Sequence, residues 1–169
     1  MLILRAIIEA HFLRNRPRSG RQVPPLALFH AQGGGCDLCT GNLNRLQSAA
    51  WEDLSYGLRF VQTPYEAEIM ILTGSLTRVA FEDIQNIWQV MPAPKGVISI
   101  GNCAIGESDF AGLYAVIRGG MAPHLKQPVK LNSVIKGCPP SLDQIADGLT
   151  DMCRDAVTPR QARPAEATP

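Results

Sequence analysis

Four of the five cysteines in this chain lie in three glycine-flanked segments: Gly33-Gly34-Gly35-Cys36-Asp37-Leu38-Cys39, Gly101-Asn102-Cys103 and Gly137-Cys138-Pro139-Pro140. Thiolates are soft, anionic donors, so four that converge would suit an iron–sulfur cluster or zinc. The Cys36-x-x-Cys39 spacing lets one short stretch hold a single ion or neighbouring irons. Cys103 and Cys138 come from distant parts of the chain, so the site closes only on folding. An isolated Cys-x-x-Cys is weak, because redox thiols and zinc sites share it. Two further cysteines, each just after an apolar run and a glycine, strengthen the reading. Structural zinc commonly uses paired short knuckles, and here two cysteines stand alone, but spacing by itself leaves both centres open.

Burying an anionic centre is costly unless hydrogen-bond donors compensate. Gly33, Gly34, Gly35, Gly101 and Gly137 are expected to turn backbone N–H groups toward sulfur and to allow close approach. Cys153 falls outside the set, at an expected helix end, and reads as a plain packed or exposed thiol.

The elements that would position these thiols alternate strand with helix. Strand patterns cover 26–30, 58–61, 68–73, 96–100 and 129–135; helical spacing covers about 42–54, 80–90 and 141–153, the last capped by Ser141. In the second helix Ile84, Ile87 and Trp88 face inward. This order predicts an α/β fold, a doubly wound, mainly parallel sheet. Ligands of such sheets sit outside the carboxyl ends of the strands, which is where all three cysteine segments fall. Residues 25–155 are expected to form this domain. Ahead of it, 1–24 read as an amphipathic N-terminal helical arm and linker, with Leu4, Ile7, Ile8 and Phe12 at helical spacing before Arg14, Arg16, Arg18 and Arg21. The arm would dock on a membrane subunit or lipid surface, or pack on its own domain or a soluble neighbour. The tail, 156–169, lacks apolar bulk and is expected to be disordered.

Composition narrows the class. With 169 residues the chain can bury a core without disulfides. A net charge of only +1 and 6% aromatic content argue against nucleic-acid binding. The odd cysteine count suits a reducing compartment. No stretch reaches the roughly 18 apolar residues of a membrane span, and the first segment lacks the basic start and cleavage site of a signal peptide.

The succession Cys36-x-x-Cys39, Ile71-Leu72-Thr73-Gly74, Met91-Pro92-Ala93-Pro94-Lys95, Ile100-Gly101-Asn102-Cys103-Ala104 and Gly137-Cys138-Pro139-Pro140 resembles the small subunit of membrane-bound energy-converting nickel–iron hydrogenases and the related 20 kDa subunit of respiratory complex I. The resemblance spans about residues 28–152. It implies a flavodoxin-like domain with one [4Fe-4S] cluster on Cys36, Cys39, Cys103 and Cys138. It also implies an electron-transfer subunit that has no turnover alone. The implied partners are a catalytic large subunit, a ferredoxin-like iron–sulfur subunit and membrane ion-translocating subunits, with this chain peripheral on the cytoplasmic face of the cell membrane. A nickel-free relative would do other redox work, such as quinone chemistry. Complex I subunits carry adjacent cysteines at the first pair, so the spacing here is that of the hydrogenases. Asn42 stands where the family usually has a glutamate linked to proton movement, and an amide cannot ionise. Lys136 stands where proline is common.

Other residues carry weaker signals. Gly35, Gly101, Gly137, Asn42 and Arg78 are candidates for contact around the centre, Arg78 also for the large subunit. Glu107 and Asp109 could pass protons or bind a partner, though solvation is the ordinary fate of such loop acids. Lys136 reads as a solvated charge or as a cation near the cluster. His30 reads as a satisfied strand-end histidine; His11 and His124 lack ligand partners at suitable spacing; Trp51 and Trp88 read as core or interface. A zinc-stabilised interaction module of the same fold is the alternative from another class. A flavin or nucleotide binder would rest on fold analogy only, since no Gly-x-Gly-x-x-Gly or phosphate-loop signature is present.

Overall fold

Ile69-Met-Ile-Leu-Thr73 and Gly96-Val-Ile-Ser-Ile100 are buried at every residue. Only strands covered on both faces can use such unbroken apolar runs. The computed structural model describes residues 26–54, 58–120, 122–125 and 131–157. The described residues form β1 (Leu26–Gln32), α1 (Leu38–Leu54), β2 (Leu58–Phe60), β3 (Ile69–Thr73), α2 (Arg78–Val90), β4 (Gly96–Ile100), β5 (Leu131–Ile135) and α3 (Leu142–Val157). Every strand pairing is parallel, in the order β2-β1-β3-β4-β5. That is the flavodoxin-like order, and the expected doubly wound α/β fold is what the chain adopts.

Alternation along the strands divides the core into two layers. Ile69, Ile71, Ile98 and Ile100 face a layer shared with Leu43 and Leu46 of α1 and Ile145 and Leu149 of α3. Met70, Leu72 and Val97 face Ile84 and Trp88 of α2, with Ile87 partly buried against the same layer.

Helix ends follow local chemistry. Thr77 Oγ1 accepts from the Ala80 N–H at 3.2 Å and caps α2. Ser141 and Gln144 cap α3 reciprocally, Gln144 N–H to Ser141 Oγ at 3.2 Å and Ser141 N–H to Gln144 Oε1 at 2.8 Å. At the far end of α2, the buried Lys95 ammonium donates to the carbonyls of Trp88 and Met91 and lies 4.7 Å over the Trp88 ring. Burial lowers its pKa. The Met91–Lys95 motif is thereby accounted for: it stops α2 and turns the chain into β4.

Several boundaries differ from the sequence expectation by one to four residues, and two of these matter here. α1 starts at Leu38 rather than near 42, so Cys39 belongs to a helix and not to a loop. Gly41 and Thr40 are weak helix formers, yet the Gly41 N–H bonds the Asp37 carbonyl at 2.7 Å and the Gln32 amide donates to the Asp37 carboxylate, which together anchor the first turn. α3 runs to Val157, past the expected domain boundary at 155. Among the described residues the β4–β5 link, where no helix was expected, holds short 3-10 turns at Asp109–Gly112 and Ala122–His124. The arm at 1–24, His11, the tail beyond 157, and the side chains of Trp51 and Cys153 lie outside the described residues. No described helix is long and apolar enough to cross a membrane.

Candidate metal centre

Strand register is what gathers the cysteines. Gln32 pairs with Thr73, Thr73 with Ile100, and Ile100 with Ile135. Four neighbouring strands therefore end at one level, and the segments carrying Cys36, Cys103 and Cys138 leave β1, β4 and β5 there, with β3 between the first and the other two. The ladder runs one residue further, with Gly33 N–H to Thr73 O and Gly101 N–H to Ile135 O, both 2.8 Å.

All four cysteines are free thiols; Cys36 and Cys138 are exposed, Cys39 and Cys103 buried. The Cys39 thiol is pushed up to about 11, first by burial and then by the charges of Cys103, Cys36 and Cys138. One sulfur thus feels the other three. Gly101 explains how close the segments come: its φ is +90°, and a Cβ there would stand 2.5 Å from the Cys39 Sγ. Any side chain at 101 would displace that sulfur. Gly137 has φ +148°, and a Cβ would meet the Pro140 nitrogen at 2.6 Å, so only glycine lets this segment turn back so tightly.

Among the described residues, no three His, Cys, Asp or Glu side chains close on a point in the way one metal ion would need.

The glycine amides behave differently from the expectation. Those of Gly33 and Gly101 go to strand carbonyls, and that of Gly137 goes to Asn102 Oδ1 at 2.9 Å. At these three positions glycine serves backbone shape and close approach rather than donation to sulfur. A donor that sequence reasoning missed is Ser75. It is 2% exposed, and its Oγ has no partner among the described residues. It lies 3.8 Å from where a Cβ on Gly35 would stand. A buried hydroxyl left unpaired costs about 1–3 kcal/mol, and a sulfide or thiolate beside the Cys36 segment would satisfy it. The available signal was a small polar residue directly after the Ile71–Gly74 run, where an all-apolar core offers it no partner. Four thiols of soft-donor type and an orphaned donor beside the Cys36 segment fit an iron–sulfur cluster.

The remaining candidates divide. Asn42 Nδ2 donates to the Pro140 carbonyl at 2.9 Å, tying α1 to the Cys138 segment. Lys136 and Glu107 form an ion pair at 2.8 Å with both side chains more than half exposed. Arg78 is turned elsewhere: its Nε donates to the Tyr114 carbonyl at 2.6 Å and its guanidinium lies 5.0 Å over that ring. Arg78, Phe81, Tyr114, Arg118 and His124 line a hollow of about 360 Å³, and His124 bonds the Arg118 carbonyl at 3.1 Å. His30 Nε2 shares a 2.8 Å hydrogen bond with Thr73 Oγ1, which shares another of 2.8 Å with Thr40 beside Cys39; burial lowers the His30 pKa. The strand runs past His30 to Gln32, but a satisfied histidine is what the structure contains.

Fold and site together define a flavodoxin-like α/β domain that carries a cysteine frame at the carboxyl edge of its sheet. Residues 34–152 match the family described as NADH ubiquinone oxidoreductase, 20 Kd subunit, and the chain belongs to that family. The match covers all four framing cysteines. The chain is 26% identical over 138 residues to a subunit of the F(420)H(2) dehydrogenase of Methanosarcina mazei, spanning 82% of this chain and 71% of that protein. Among solved structures, a chain of the membrane-bound sulfane sulfur reductase, an archaeal respiratory membrane complex, shares the fold with a TM-score of 0.61 at 22% identity, covering 77% of this chain and 69% of that one. A chain of an NAD+-reducing [NiFe]-hydrogenase in the H2-reduced state does so with a TM-score of 0.53 at 18% identity, covering 77% and 92%.

Proposed function

We propose that this chain is the electron-transfer subunit of a membrane-associated oxidoreductase complex, holding one [4Fe-4S] cluster on Cys36, Cys39, Cys103 and Cys138 beside a catalytic large subunit. The observation that carries the proposal is the aligned end of β1, β3, β4 and β5, which gathers the segments of four free thiols at one edge of the sheet. Such a cluster, when bound, stores one electron at a potential set by the surrounding hydrogen bonds and exposure. The protein's part is to hold and to tune. Cys39 and Cys103 grip from the interior, Gly101 leaves the Cys39 sulfur room, and the Ser75 hydroxyl supplies a donor.

Cys36 and Cys138 form the outward half of the frame, where a partner would exclude water. The same edge of the sheet carries exposed apolar side chains on the segments after its strands: Leu38 at 60%, Val79 at 87%, Leu113 at 55% and Tyr114 at 88%. A rim of this kind supports a large protein partner. With the family membership and the membrane complexes of the similar proteins, it also supports a ferredoxin-like partner, membrane ion-translocating subunits and a peripheral place at the cytoplasmic membrane face. Asn42 does not ionise, so position 42 carries no proton relay in this reading.

Iron, sulfide and visible absorption of the full chain purified without oxygen test the proposal. Equal iron and sulfide, matching one cluster per chain, is the expected result. A colourless chain with one zinc would overturn it in favour of the interaction module.

A further inference from the structure

We infer that Asn42 and Asn102 are positioning residues that hold the Cys138 segment against the other two ligand segments, one as an obligatory donor and the other as an obligatory acceptor. The inference rests on the cluster reading above. Asn42 lies one helical turn past Cys39, and its Nδ2 donates to the Pro140 carbonyl at 2.9 Å. Asn102 directly precedes Cys103 and makes a two-bond bracket with Gly137. Its N–H donates to the Gly137 carbonyl at 2.9 Å, and its Oδ1 accepts from the Gly137 N–H at 2.9 Å. The Asn102 carbonyl is itself held by the Glu107 N–H at 2.9 Å. Every one of these groups on Cys138's segment is thus met by a residue from the Cys39 or Cys103 segment.

Backbone partners remove any choice about how the two amides face. A carbonyl only accepts, so Asn42 must present its NH2; a backbone N–H only donates, so Asn102 must present its oxygen. The departure at position 42 then has a physical meaning in this chain. An ionised glutamate would set lone pairs against the Pro140 carbonyl, whereas an amide closes the contact. The exposed Cys138 sulfur is placed relative to Cys39 and Cys103 by these contacts, before any cluster binds.

One isosteric change made at both sites gives opposite expected results. In the iron-loaded full chain, Asn42→Asp faces a carboxylate to a carbonyl and should speed iron release to a ferrous chelator about tenfold over the native chain. Asn102→Asp keeps the acceptor for Gly137 and should stay within about twofold of native. Equal release from the two variants overturns the inference. Should Asn42→Asp fail to fold, Asn42→Gln and Asn42→Leu decide: slow release from the glutamine variant, which keeps a donor, with fast release from the leucine variant supports the role, and equal rates overturn it. Hydrogen exchange at the Gly137 amide separates this from the cluster reading, because it needs no iron. Asn102→Leu should exchange faster there than the native full chain, and unchanged exchange sinks the bracket even where iron is present. A native chain that takes up no iron sinks the cluster reading instead, while the exchange result stands.

Discussion

Lys95 and Cys39 are both buried beside strand ends, 4% and 6% exposed, yet their surroundings differ in kind. Lys95, ahead of β4, finds two carbonyls and the Trp88 ring within its own domain. Cys39, beyond β1, has three other thiols around it and no disulfide. At one end of the sheet the buried charge is met within the domain, although the Trp88 Nε1–H beside it has no partner among the described residues; at the other the thiols press on one another. A buried polar group whose partners are all present reads as architecture, and one whose neighbours compete for the same charge reads as a site. Both groups lie in motifs that support the family resemblance, so motif membership alone does not tell the two apart.

The sharpest way to break this contrast is Cys103→Ser. Iron should be lost altogether while the sheet, built from strands that do not use this sulfur, still melts cooperatively; full iron retention would remove Cys103 from the ligand set. Next in size is a pair of opposite pH effects in the iron-free chain. Burial, and then the charges of the other three thiols, push the Cys39 thiol from its ordinary value of 9.0 up to about 11. Stability is therefore fully present below that ordinary value and falls as pH climbs toward about 11. Lys95 is held below its ordinary value by burial, so the unfolded chain binds its proton more readily, and its contribution makes stability rise with pH just below the usual lysine range. Denaturant midpoints across this window should lose the fall in Cys39→Ala and the rise in Lys95→Met. Lys95→Met should also cost about 1–3 kcal/mol at neutral pH, by orphaning helix-end carbonyls, with iron per folded chain unchanged.

A finer probe of the thiol end is Ser75→Ala. Removing a donor to a centre that grows more negative on reduction should lower its potential by some tens of millivolts in a redox titration; an unchanged potential would return Ser75 to simple packing. The smallest effect is expected at Lys136→Gln. Its ion pair with Glu107 is exposed, so thermal or denaturant stability should drop by less than about 1 kcal/mol.

Much of the scaffold was legible because its signals are local. β3 and β4 could be read from apolar runs alone, and the β4 bounds agree with the expectation. Ser141 announced its helix by cap chemistry that acts within one turn. The start of α1 was not legible, since Thr40 and Gly41 oppose helix formation and the anchoring of Asp37 by Gln32 is a contact between elements. The same limit hid Ser75, whose meaning lies in a partner it lacks, and the two asparagines, whose roles depend on which backbone group faces them. Glycine at 101 and 137 was read correctly for close approach but not for donation to sulfur; the structure spends those N–H groups on Ile135 and Asn102.

The order of residues alone determined that this is a layered α/β chain with soft donors placed after its strands, because periodicity, caps and glycine spacing act over a few residues. The shared edge of the donors was already implied by a parallel sheet; only the tertiary structure decided which strands are neighbours and that they end level, through the order β2-β1-β3-β4-β5 and the register Gln32–Thr73–Ile100–Ile135. A parallel sheet converts distance along the chain into adjacency across it, and nothing in a one-dimensional pattern states which neighbour each strand will take.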